Sequence, residues 1–127
     1  MKSEKEILDD FGSKLIERVY DDAINYFDQI VSGTTPWGVG KEYTDIFKKL
    51  SKEDHVLLRR YIKETIGTSL FAVLGIFEEN PEFKIKYIGE GKEMDLVAIS
   101  EMLKAEPTIE NGWIDRFSKK LRYNELT

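Results

Sequence analysis

The chain has 127 residues, no cysteine and one histidine, and 24 acidic residues against 19 basic ones give a net charge of −5. These values exclude a disulfide framework, thiolate zinc sites, a cysteine nucleophile and any site that needs two histidines of one chain. The acidic surplus also argues against nucleic-acid binding as the main role, because neutralising phosphates takes a concentrated basic surface.

A chain of this length is expected to form a single domain, 1–127, that buries about two-thirds of its unfolded surface without help from a metal or a disulfide. A hydrophobic content of 41%, with 12% aromatic residues, argues against disorder. The opening MKSEKEILDD lacks the apolar core of a signal peptide, so neither secretion nor a membrane anchor is expected. A cysteine-free chain suits the reducing cytosol, and a cytoplasmic location is the expectation.

Ser3 and Glu6 have the spacing of a capping box, which predicts a helix starting there. Ile7, Leu8, Phe11, Leu15, Val19, Ala23, Tyr26, Phe27 and Ile30 hold the helical period until Gly33. Gly12 is the weak point of this helix. On another face Asp10, Glu17, Asp21 and Asp28 line up to within about 20° when each residue turns the helix by about 100°. Lys14 sits in the same row. The row reads either as a solvated face or as a docking stripe for a basic protein.

The segment SGTTPWGVG (32–40) is the clearest loop. It fails as a phosphate cradle. Thr35 stands where a Walker loop needs its first glycine, Glu42 replaces the hydroxyl residue, and the loop follows a helix rather than a strand. Trp37 either plugs the loop onto the core or stands out as an aromatic anchor for a partner. A short helix from 42 or 43 to 50 is expected to bury Tyr43, Ile46, Phe47 and Leu50.

The stretch 51–79 organises the chain. Leu58, Ile62, Ile66, Leu70, Val73 and Phe77 recur at steps of three and four, which draws one apolar seam along a helix. Ser51 with Asp54 predicts its cap, and Asn80-Pro81 its end. The uncharged run TIGTSLFAVLGIF (65–77) is too short to span a bilayer, which takes ~20 residues. It predicts a buried central helix instead, with 70–77 almost wholly covered. Thr68, Ala72 and Gly75 form a narrow small-residue face against which another helix is expected to pack. The row Lys52, Arg59 and Lys63 is expected to pair with acids of the first helix. His55 reads as a local hydrogen-bonding residue, since no metal-type histidine spacing surrounds it.

Beyond Pro81, Phe83, Ile85 and Tyr87 alternate with lysines, and Gly89-Glu90-Gly91 makes a turn. A small β-hairpin over 83–94 is predicted. Asp95 then caps a helix containing Leu96, Ile99, Met102 and Leu103. A last helix carries Trp113, Ile114, Phe117 and Leu121, with Arg116, Lys119, Lys120 and Arg122 towards its end.

The expected architecture is therefore mainly α: about five helices around the central one, plus the hairpin. No catalytic or metal-ligating set emerges, and no cofactor is expected. Adjacent carboxylates such as Glu78 and Glu79 point about 100° apart on a helix and do not share a substrate. The function that fits is non-catalytic binding of another macromolecule, a protein, with a basic one suiting the acidic row, as in an immunity-type, adaptor or accessory protein. Asp10, Glu17, Asp21, Asp28 and Trp37 are the candidate contact residues; nucleic acid and membrane are not expected partners. The alternatives are a small enzyme with a site of carboxylates from different helices, and a homo-oligomeric structural module.

Overall fold

The computed structural model describes residues 1–124. Its first element is an unbroken rod over 4–32, made of α1 (Glu4–Leu15), a π-helical stretch (Ile16–Asp21) and α2 (Asp22–Ser32). Ser3 and Glu6 close the capping box, each side chain accepting the other's backbone N–H. Gly33 ends the rod at φ 73°, the left-handed conformation that glycine adopts at little cost. Then come α3 (Lys41–Phe47), α4 (Lys52–Glu79), the antiparallel strands β1 (Lys86–Gly89) and β2 (Lys92–Asp95), α5 (Leu96–Ile99) and α6 (Trp113–Phe117). With the rod counted once, the described residues form five helices and one hairpin, the mainly helical architecture that the sequence predicts.

The rod departs from a uniform helical period. In the π stretch the N–H of Asp22 reaches back five residues to the carbonyl of Glu17. A π turn accommodates an extra residue, so every position beyond it lags by roughly one residue's rotation. The buried seam therefore runs Leu8, Gly12, Ile16, Tyr20 and Ile24, in steps of four, and on to Phe27 and Ile30. Val19 and Tyr26, which a uniform period puts inside, are 41% and 50% exposed. The Trp113 ring fills the space that a Cβ on Gly12 would occupy, so the residue that weakens the helix in isolation is the one that admits the core tryptophan.

Helix α4 begins and ends where expected, with the Ser51 hydroxyl accepting from the Asp54 N–H. Its burial differs from the sequence reading. Lys63, Gly67, Leu70, Leu74 and Gly75 are buried, against the rod and the short turn Leu103–Ala105. Phe71, Val73 and Ile76 remain 42%, 53% and 47% exposed. The segment 70–77 is thus covered on one side only. Thr68 and Ala72 are exposed as well, and Gly75 faces the flexible Lys104 side chain instead of a packed helix.

Three further expectations shift. The hairpin starts at Lys86, with Phe83 left 57% exposed, and turns through Glu90 and Gly91 at φ 55° and 77°; positive φ at both central residues marks a type I′ turn. The helix begun by Asp95 stops at Ile99, because the Lys104 N–H bonds to Glu78 of α4 and Ser100 to Glu106. Helix α6 ends at Phe117, short of Leu121. The Ser118 hydroxyl accepts from the N–H groups of Lys120 and Leu121, a local arrangement that competes with helix continuation. No helix among the described residues is long and apolar enough to cross a membrane.

Candidate partner-binding surfaces

The four acids of the first helix do not form one open row. The π stretch rotates Asp21 and Asp28 away from Asp10 and Glu17. Asp21 is only 8% exposed and accepts hydrogen bonds from the Ser118 hydroxyl at 2.6 Å and the Lys119 N–H at 3.0 Å. Together with the Tyr20 hydroxyl, which donates to the Leu121 carbonyl, it fastens the segment after α6 onto the rod. Asp28 holds Arg59 by two bonds of 3.0 and 3.1 Å. Of the basic row Lys52, Arg59 and Lys63, Arg59 thus makes the pairing expected of it. Asp10 pairs with Lys2 and Lys14. Glu17 is exposed, and no ion pair involves it among the described residues.

Other singled-out residues take structural places. The His55 Nε2–H donates to the Phe47 carbonyl at the end of α3, the local role expected of it. Lys63 is buried, with its ammonium 5.6 Å from the centre of the Tyr123 ring. Asp115 is buried and accepts from the Asn111 and Asn124 N–H groups and the Asn124 side-chain amide. Burial pushes its pKa up, but these donors outweigh it and hold the carboxyl below its usual range. The two buried carboxylates are therefore already engaged by the fold. A cleft of about 310 Å³ between α1 and the hairpin has an apolar floor that includes Ile7 and Phe11; its lining carboxylate, Asp10, is held by lysines. Among the described residues no three metal-ligating side chains converge.

Two exposed apolar surfaces among the described residues bear on partner binding. The first is the loop 33–40 with the outer side of α3. Trp37 is 97% exposed and sits at φ 55°, a left-handed conformation that costs a bulky residue roughly 1–2 kcal/mol. The loop is braced from within. The Thr35 hydroxyl donates to the Val39 carbonyl, and the N–H groups of Gly38 and Val39 bond to Thr35 and Pro36. The buried Thr44 hydroxyl ties α3 to the Ile30 carbonyl at 2.6 Å. Val39 in the loop is around half exposed, and so are Tyr43 and Ile46 of α3, which the sequence reading expects to be buried. Of the two readings of Trp37 open in the sequence, the exposed position is the observed one.

The second surface is the outer face of α4. Leu57, Tyr61, Thr65, Thr68, Ala72 and Ile76 lie within about 50° of one line along the helix, and all are exposed. Leu57 and Tyr61 are 56% and 64% exposed. The Thr65 and Ser69 hydroxyls donate back to the carbonyls of Tyr61 and Thr65. Their polar atoms are thereby turned into the helix and their apolar sides outward. Sequence periodicity missed this face because an apolar helix covered all round and one covered on one side share the same composition.

Compared with protein-family models, with curated proteins and with solved structures, the chain matches none of them.

Proposed function

We propose that the chain is a non-catalytic binding protein of the immunity, adaptor or accessory kind, which captures a protein partner by seating Trp37 in an apolar recess of that partner. One observation carries this reading: a tryptophan held almost entirely in solvent, in a strained conformation, on a loop braced by its own hydrogen bonds. Exposing so large an apolar group forgoes a burial gain of a few kcal/mol, and the strained backbone adds to the cost. A folded chain tolerates both where binding recovers them. Tryptophan is also the side chain most enriched among residues that dominate interface energies, and a pre-braced loop loses little entropy on docking.

Val39, Tyr43 and Ile46 offer further exposed apolar area on the loop and on α3, and Lys41, Asp45 and Lys48 line a cleft beside Gly38. The net charge of −5 favours a basic partner through long-range steering, to which the exposed Glu17 contributes. Absence of cysteine suits a cytoplasmic setting.

The test is capture from the source cell with the immobilised chain, followed by affinity measurement on the captured protein. Trp37→Ala should weaken binding by ~30-fold or more, the scale of a loss of 2 kcal/mol, and leave the thermal transition in place. A partner that binds the variant as tightly as the native chain would refute the reading.

A further inference from the structure

The outer face of α4 belongs to a different element from the Trp37 loop. Its composition is unusual for a chain with a net charge of −5. Between Thr65 and Phe77 α4 carries no charged side chain, although half of its circumference is in solvent. A helix that faces water permanently keeps charges on its outer side; an uncharged outer face belongs against another surface.

We propose that this surface is the same face of a second copy, packed antiparallel about a two-fold axis that passes between Thr65 and Thr68. The spacing of the face is its own complement. A two-fold there brings Thr65 of one copy opposite Thr68 of the other, Tyr61 opposite Ala72, and Leu57 opposite Ile76. Each large ring meets a small side chain, each branched aliphatic meets another, and the two threonines meet at the centre. That alternation lets two helices approach to the 8–10 Å of ordinary packed pairs. The contact is isologous and closes at two copies, so it leads to a dimer and not to a filament.

The flanks fit the same arrangement. On one side Leu58 falls near Ile76 of the second copy, and Ser69 near its Thr65. On the other, Glu64 of one copy comes level with Phe71 of the second, whose ring carries the Lys104 ammonium 5.2 Å from its centre. At the ends Asp54 of each copy meets Glu79 of the other, which Lys104 of its own chain pairs at 3.7 Å. Each copy carries a net charge of −5; salt screens this mutual repulsion, and the dimer tightens as ionic strength rises. That sign is opposite to the one expected for steering of a basic partner by the net charge. The seam from Leu57 to Ile76 is roughly 28 Å long at the helical rise. It is one helix face wide, below the ~800 Å² per partner of a standard interface, so the association is concentration-dependent.

The experiment uses the full chain and its freedom from cysteine. Sedimentation equilibrium should give twice 14.8 kDa as the concentration approaches ~1 mM, a range that detects even weak association. Added salt should move the transition to lower concentration. Ala72→Arg places a charge at the crossing point on an exposed position and should leave a folded monomer, checked by an unchanged thermal transition. Register is read by mixing two single-cysteine variants, Leu57→Cys and Ile76→Cys, under mild oxidation. The mixture should cross-link, and neither variant should cross-link alone. Like positions stand ~28 Å apart in this arrangement, and a disulfide requires Cα atoms within about 7 Å. A native chain that stays at 14.8 kDa throughout, an Ala72→Arg dimer as tight as the native one, or cross-linking of a single variant with itself would each overturn the proposal.

Discussion

The rod over 4–32 and helix α4 are the two long helices of the molecule; the rod carries Gly12 and α4 carries Gly67 and Gly75, each inside a helical run, where glycine costs about 1 kcal/mol relative to alanine. At Gly12 the cost is offset by packing, because Trp113 lies where a side chain would be, and at Gly67, on the covered side of α4, the Tyr123 ring does the same. At Gly75 the nearest groups are the flexible Lys104 and Glu79 side chains, at 3.7 and 3.8 Å from a built Cβ. The rod is held from several directions: Phe11 meets Trp113 edge-on, Asp9 clamps Arg116, and Tyr20 and Asp21 fasten the segment after α6. Helix α4 is held on one side. The rod's irregularities complete the core, whereas the outer side of α4 is left exposed.

The contrast can be broken most severely at Gly12. Gly12→Ala drives a methyl group into the Trp113 ring and should destabilise the fold by ~1–3 kcal/mol, the scale of overpacking, read as a lowered urea midpoint. Asp21→Ala comes next. It leaves the Ser118 hydroxyl and the Lys119 N–H without their acceptor, at a cost of about 1–3 kcal/mol for unsatisfied half-buried donors. Faster hydrogen exchange confined to 118–124 and its contacts should accompany the loss.

Acid should loosen the same side of the molecule by a smaller amount. Paired hydrogen bonds from Arg116 hold the Asp9 carboxyl below its usual range, and the Asn111 and Asn124 donors do so for Asp115 against the effect of burial. A depressed folded pKa contributes stability that is complete above the unfolded value near ~3.9 and is lost as pH falls through the folded one. The urea midpoint should therefore stay level on acidification to about pH 4, as far as these two groups go, and fall below that. In Asp115→Asn that fall should be shallower.

The smallest effect sharpens the comparison from the other helix. Gly75→Ala meets only ordinary contacts and should raise stability by up to ~1 kcal/mol through helix propensity. A loss there would mean that α4 is packed more closely than its surroundings show.

Much of the framework was legible in the sequence. Ser3 with Glu6, Ser51 with Asp54 and Asn80-Pro81 mark helix ends whose signals are local, and local hydrogen bonds decide them. The π stretch was hidden because a uniform turn of about 100° per residue was applied across it. The signal was there in the strict four-residue spacing of Leu8, Gly12, Ile16, Tyr20 and Ile24, which drifts off one face of a regular α-helix and stays on it only if a turn is widened. That error also aligned Asp21 with Asp10 and Glu17, when its carboxylate is needed inside. Helix α6 ends early because Ser118 and Asp21, 97 residues apart, meet only in the fold. Trp37 was legible as a loop aromatic; its exposure depends on Thr35 bonding Val39 and not on composition. The open face of α4 was not legible, since apolar periodicity says which residues seek cover and not whether the cover comes from the same chain.

The two proposals give the molecule two apolar surfaces with different occupants, its own copy on α4 and a foreign protein at Trp37. Oxidative footprinting of the purified chain across a concentration series tests this directly, because Tyr61, Trp37, Tyr20 and Trp113 report separately. Tyr20 and Trp113, both fully buried, should stay protected throughout. Tyr61 should be labelled at low concentration and protected at high concentration, while Trp37 remains labelled at every concentration and becomes protected only when a captured partner is added. Equal labelling of Tyr61 across the series, or protection of Trp37 in the chain alone, would contradict the account.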